Sequence, residues 1–238
     1  MKLEASLDEF ELLQRRRLSG MDRELVVTAL AALKEYLLEH VGLEETSELE
    51  DWNLFEFLLD YYPSQEEPDE GPALFLLDTA SALSRWLVER GERGTALFLA
   101  AADRLREDLP RVFRALALLK DHTHPEDLGM SVDVGEEEEG APLGTLSSGV
   151  ERVARPGEVD YNRAEEDHFT IVATAQASVT LHSDALEALG QGTLGPVQMP
   201  AAAAALLRPA DILHAEVAPG RNGWELIGAF GIRPGGYL

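Results

Sequence analysis

"DILHAEVAPGRNGWELIGAFGI", residues 211–232, is the stretch on which the fold turns. Apolar and polar residues alternate on both sides of "GRNG", 220–223, with the period of two that marks half-buried strands. Asn222-Gly223 supplies the positive-φ pair of a tight hairpin turn. Working outward, "HFTIVATA" (168–175) and "SVTLHS" (178–183) have the same β-branched, alternating texture. "GTLGPVQMP" (192–200) holds another short strand closed by Pro200, and "AAAAALL" (201–207) a short helical turn. Short strands with turn signals every 8–12 residues predict a small antiparallel β-barrel-like domain over 150–238.

Residues 1–130 read differently, as a helical bundle. The first helix, about 5–18, places Leu7 and Phe10 on one side, and Ser19-Gly20 break it. The second runs from Asp22 to Val41 with Gly42 beyond its end, since glycine accepts the left-handed conformation without a Cβ clash. The third spans Leu49 to Tyr62 and carries Trp52, Phe55, Leu58 and Leu59. A loop, "PSQEEPDEGP", follows, and Pro72 opens the fourth helix, which Gly91 ends. Thr95 is placed to cap a fifth helix through about Asp108, and Pro110 to begin or kink a sixth through Lys120. Between bundle and barrel, 131–149 includes "GEEEEGAPLGTLSSG", whose acids, glycines and serines predict an exposed, mobile acidic linker. The fold class is therefore α+β.

Composition narrows the function. At 238 residues the chain is long enough to bury roughly 70–75% of its unfolded surface, so a core needs no covalent staple. With no cysteine, disulfide frameworks, thiolate metal sites and cysteine nucleophiles are excluded. The N-terminal residues lack the apolar core of a signal peptide, and no apolar run approaches a membrane span, which together predict a cytoplasmic protein with no membrane partner. The richness in Ala, Leu and Arg over Lys suggests a bacterial source. A formal net charge of −24 repels phosphate backbones, so nucleic-acid binding is disfavoured. The local exceptions are "QRRR" (14–17) and the set Arg104, Arg106, Arg111 and Arg114, both read as solvated helix faces.

The order of parts resembles a set of uncharacterised bacterial proteins. The resemblance rests on "FEFLLDYY" (55–62) and on "LRPADILHAEV…GWELIGAFGI" (207–232), and it covers the third-helix region and the last hundred residues. It implies an α-helical N-terminal region followed by a small β-barrel, and no activity. Some of those proteins have a metal-binding cysteine-rich tail, which this cysteine-free chain does not share.

The chemistry-bearing motifs are few. "DHTHPEDLG" (121–129) places His122 and His124 one residue apart, the spacing with which two imidazoles reach one metal ion; His168 in "EEDHF" is the best third ligand. The competing explanation is a helix C-terminus, where Lys120 and the two histidines suit unpaired carbonyls. "GQGTLG" (190–195) matches the dinucleotide glycine pattern, but the strand and helix around it stand in inverted order, so it reads as a turn. In "LHSD" (181–184), His182 and Asp184 share one face of a strand and Ser183 points away, which argues against a catalytic triad. Of Trp52, Trp86 and Trp224, the last opens the second hairpin strand and is the candidate for an interaction surface. The absence of a nucleophile, phosphate loop or complete ligand set favours a non-catalytic regulatory or adaptor protein without a cofactor, acting on a protein partner with a basic surface. The rivals are a metal-dependent hydrolase built on His122 and His124, and an acidic nucleic-acid mimic occupying a basic groove. Partner identity, substrate and oligomeric state are not legible.

Overall fold

The computed structural model describes residues 2–65, 70–123, 159–160, 163–221 and 223–236. His124 and the acidic linker expected at 131–149 lie outside the described residues. The fold is α+β, with helices first and a closed five-stranded barrel after them.

The helices are α1 (Leu3–Arg17), α2 (Gly20–Lys34), α3 (Asp51–Glu56), α4 (Tyr62–Gln65), α5 (Glu70–Glu89) and α6 (Ala96–Thr123). Gly42 takes φ +78° just past the second helical segment, as its position required. Two segments widen into π-helix, at Glu35–His40 and at Phe57–Tyr61. They pack on each other through aromatic rings: Tyr36 lies 4.8 Å from Tyr61 and 5.4 Å from Phe57. Such turns carry one extra residue and often mark functional places.

The expected fifth and sixth helices are one. Pro110 sits inside α6, although a mid-helix proline removes one ladder bond and costs roughly 3 kcal/mol. Burial on both sides of it, through Leu105, Leu109, Val112, Phe113, Leu116 and Leu119, offsets that cost and carries the helix on. The start of α6 is capped from a distance: the backbone N–H of Phe98 donates to Asp51 Oδ1 at 2.6 Å. Thr95, expected as the cap, instead accepts from Ser84 Oγ at 2.8 Å.

The barrel strands are β1 (Glu165–Thr174), β2 (Ser178–His182), β3 (Thr193–Gln198), β4 (Ile212–Gly220) and β5 (Gly223–Arg233), with the short helices α7 (Asp184–Glu187) and α8 (Ala201–Ala204) between them. They close in the order β1-β2-β3-β5-β4. Every junction is antiparallel except β3–β5, a short parallel pair at Val197↔Trp224 and Gln198↔Glu225. The hairpin turn lies one residue earlier than the sequence indicates, because Gly220 pairs with Gly223. Gly223 has φ +132°, and a Cβ there would meet Pro196 O at 2.8 Å, so glycine also permits the parallel closure. On β5 the pairing skips Ile227 and Phe230; these bulges curl the hairpin into a barrel.

One continuous hydrophobic core runs from the helices into the barrel. Beneath it, Tyr36 is buried and its Oη donates to Glu56 Oε2 at 2.9 Å. Burial, then the hydrogen bond and charge of Glu56, hold its hydroxyl far above the ordinary tyrosine value of 10.0. An unfolded chain therefore releases this proton above pH 10.0 while the native chain keeps it. Stability should fall as pH rises past that point, by up to about 1.4 kcal/mol per pH unit from this group. Urea unfolding at stepped alkaline pH should show a shallower decline in Tyr36→Phe than in the parent; equal slopes would mean that Tyr36 ionises in the native state.

Candidate functional site

The site lies where the barrel meets the helices. In β1 the side chains of Phe169 and Ile171 enter the core and those of His168 and Thr170 face outward; in β4 Leu213 and Ala215 enter and His214 faces outward. The antiparallel register pairs His168 with His214, so the two imidazoles stack 4.1 Å apart with planes 12° from parallel. Phe230, on the bulge of β5, lies 5.0 Å from His214. Gly231 is opposite His214, and the lack of a side chain there lets the π-helical turn Phe57–Tyr61 approach: a Cβ would meet Leu59 O at 2.9 Å and Asp60 Oδ1 at 3.1 Å.

That close approach delivers Asp60 to the histidines. Arg233 Nε donates to Asp60 Oδ2 at 2.6 Å, its guanidinium carbon lies 4.6 Å from the centre of the Trp52 ring, and its Nη2 is 3.5 Å from His168 Nε2. Asp60 Oδ1 is buried, has no hydrogen-bond partner, and lies 3.9 Å from His168 Nε2. Glu166 Oε1 is 3.4 Å from His214 Nε2. Burial pushes the Asp60 carboxyl up from its ordinary value even though Arg233 pulls it down. Burial, and then His214 and Arg233, hold the His168 imidazole below its ordinary value. The site thus presents a carboxylate oxygen and two imidazoles within 4.8 Å of one another.

Beside this cluster is a recess of about 170 Å³, lined by Trp52, Phe55, Leu59, Ile212, Arg233 and Pro234 among others. It shares Trp52, Phe55 and Gly236 with an open groove of about 540 Å³ that runs along α6 past Leu97, Ala100 and Ala101. Trp52 is 39% exposed and Leu97 72% exposed.

Of the candidate ligands, His122 is exposed on the last turn of α6, as the helix-end explanation expects, and His124 lies outside the described residues. Among the described residues, two groups of three or more potential ligands converge, and His122 is in neither. His168 is in the first, with Asp60 and His214. The second is His182, Asp184 and Glu187 at the start of α7. There Ser183 Oγ accepts from Leu186 N and donates to the Asp167 carboxylate, so it caps α7 and its hydroxyl is directed to Asp167 and not to His182. "GQGTLG" leads from α7 directly into β3, so a strand and not a helix follows the glycines. Trp224 is partly buried at the barrel closure, and Trp86 belongs to the core beneath Arg90.

Of the four α6 arginines, Arg104, Arg106 and Arg114 are exposed as expected, and Arg111 alone departs from the solvated face. Arg111 is 11% exposed and makes a bidentate pair with Asp211, at 2.6 and 3.1 Å. Arg104 donates to the carbonyls of Gly235 and Gly236, and Arg106 pairs with Asp78. "QRRR" holds to expectation, with Arg15 paired to Glu11 four residues back and Arg16 and Arg17 exposed.

Asp60, His214, Arg233 and Trp52 are the residues that sequence reasoning did not bring together. Asp60 is in "FEFLLDYY", and His214 is in the 207–232 segment, so the two stretches that carried the resemblance meet here. No protein-family model, curated protein or solved structure matches the chain. The architecture implied by the resemblance is present, helices followed by a five-stranded barrel; no family is identified. Among the described residues no helix is long and apolar enough to cross a membrane.

Proposed function

We propose that this chain is a non-catalytic regulatory or adaptor protein that binds a protein partner presenting an apolar anchor in a basic surface. The observation that carries the reading is the groove at the seam: exposed Trp52 and Leu97 flank small Ala100 and Ala101, in a chain of net charge −24. An apolar slot can seat a large anchor side chain, and the surrounding negative field attracts its cationic flanks. Of the α6 arginines, Arg111 is taken up by a buried carboxylate and Arg104 and Arg106 by exposed carbonyl and carboxylate partners, while Arg114 is exposed; the argument against a nucleic-acid partner rests on the net charge of −24. The hydrolase reading built on His122 and His124 has no support among the described residues, because His122 joins neither ligand group.

The test uses an amphipathic lysine-leucine peptide as the probe, with a glutamate-leucine peptide of the same pattern beside it. Binding of the cationic peptide should weaken with salt, whose screening length is roughly 10 Å at 0.1 M. Leu97→Asp should cost about tenfold in affinity, the equivalent of one partly buried aliphatic side chain. Leu97 is so exposed that the substitution leaves the fold intact. Equal affinity of parent and Leu97→Asp, or equal binding of the two peptides, would remove the groove from the reading.

A further inference from the structure

We infer that Asp60, His168 and His214 form a binding site for a borderline divalent transition-metal ion, zinc being the type case, which clasps the barrel to the helices. The inference is independent of the adaptor reading. It rests first on chain placement. The two histidines are fixed opposite each other on neighbouring strands, and the carboxylate comes from the helical region more than 100 residues earlier in sequence (His168 Nε2 to Asp60 Oδ1, 3.9 Å). It rests second on Asp60 Oδ1, a buried carboxylate oxygen with no hydrogen-bond partner. Burying such an atom unpaired is costly, and a metal ion is the partner that best repairs it.

The donor set selects the ion. Two imidazole nitrogens and one carboxylate oxygen suit zinc, cobalt or nickel; magnesium and calcium prefer oxygen alone. Around tetrahedral zinc, with bonds near 2.0–2.1 Å, ligand atoms stand roughly 3.3 Å apart. The three donor atoms lie within 4.8 Å of one another, so a modest rotation of His168, 43% exposed on its side chain, closes the set. Glu166 Oε1, 3.4 Å from His214 Nε2, borders the three-residue group without joining it, which leaves further coordination positions to water. Arg233 holds Asp60 by Oδ2 and leaves Oδ1 to the ion, the orienting role that partners of metal ligands play. Its Nη2 has to leave His168, and the Trp52 ring already receives the guanidinium.

The experiment titrates the full chain, stripped with a chelator, with zinc chloride in competition with a chromophoric chelator, and with magnesium chloride in parallel. One zinc equivalent should bind. His168→Gln, at a half-exposed position, should weaken it by on the order of 100-fold, the upper range seen when even an outer partner of a ligand is lost. Asp60→Asn should do the same, and circular dichroism on each variant checks that it is folded; should Asp60→Asn not fold, His168→Gln decides. His182→Gln, in the other acidic group, should bind zinc as the parent does. Zinc should also shift the ring nitrogens of His168 and His214, but not those of His182, in long-range ¹H–¹⁵N spectra, and raise the unfolding temperature of the parent but not of His168→Gln. No zinc equivalent, equal binding of magnesium, binding that survives His168→Gln, or equal loss in His182→Gln would overturn the inference.

Discussion

Arg111→Ala should lower the free energy of unfolding by about 3–5 kcal/mol, the range for breaking one side of a buried ion pair. Asp211 is 2% exposed on its side chain. Its carboxylate accepts four hydrogen bonds, from Arg111 Nη1 at 2.6 Å and Nη2 at 3.1 Å, from Arg208 N at 2.8 Å and from Gly235 N at 3.1 Å. Burial alone would push the Arg111 proton off, but the hydrogen bonds and charges of Asp211 and Asp108 outweigh it and hold the guanidinium above its ordinary value. Removing Arg111 leaves Asp211 with two backbone donors and no countercharge, and takes a donor from Leu206 O. The same contact holds α6 against the segment that enters β4, so helices and barrel should lose stability together, in one urea transition. Arg111→Met combined with Asp211→Asn should recover a large part of the loss, because no uncompensated charge then remains. A loss under about 1 kcal/mol in Arg111→Ala, the size expected for a surface ion pair, would show that water reaches Asp211 in the native state.

This contact also shows where sequence reading stops. Helix and strand identity follow from local pattern. The hairpin at 211–232, the helix end before Gly42 and the helix-end position of His122 were all legible because each depends on neighbours within a few residues. The partner of Arg111 is 100 residues away, and nothing in "REDLPRVFRA" distinguishes a buried arginine from a solvated one. Pro110 misled for a related reason. Its local cost is real, but the burial that outweighs it comes from tertiary packing that the window around it does not contain. The π-helical turns left no signal either, since "EYLLEH" and "FLLDY" have ordinary helical composition.

At the site, His168 was legible as a candidate ligand and its companions were not. The sequence places His122 and His124 near each other and so draws attention to them. The fold instead pairs His168 with His214 across a strand register that only barrel closure defines. One signal was available: His168 and His214 both stand at outward positions in alternating strands, so any register pairing them would place them on one face. Asp60 had no such signal, because it reaches the histidines only through the glycine on β5.

Gly231→Val tests that dependence and carries the second large effect. A Cβ at 231 would lie 2.9 Å from the backbone oxygen of Leu59 and 3.1 Å from Asp60 Oδ1. The first is a main-chain atom in a helical turn whose Phe57, Leu58 and Leu59 are all buried, so it cannot swing aside. Either β5 backs away from the helix or the turn moves, and in both cases core contacts open. Overpacking of this kind costs about 1–3 kcal/mol, and the branched side chain places Gly231→Val at the upper end. Gly231→Ala should sit between it and the parent. The displacement should also separate Asp60 from Arg233, whose 2.6 Å bond spans the same gap, and release Arg233 from the Trp52 ring. Trp52 should then change its fluorescence in the native baseline, before unfolding begins. A Gly231→Val protein with parental stability and an unchanged Trp52 signal would mean that the seam yields without strain, and that glycine at 231 does not set the distance between Asp60 and the two histidines.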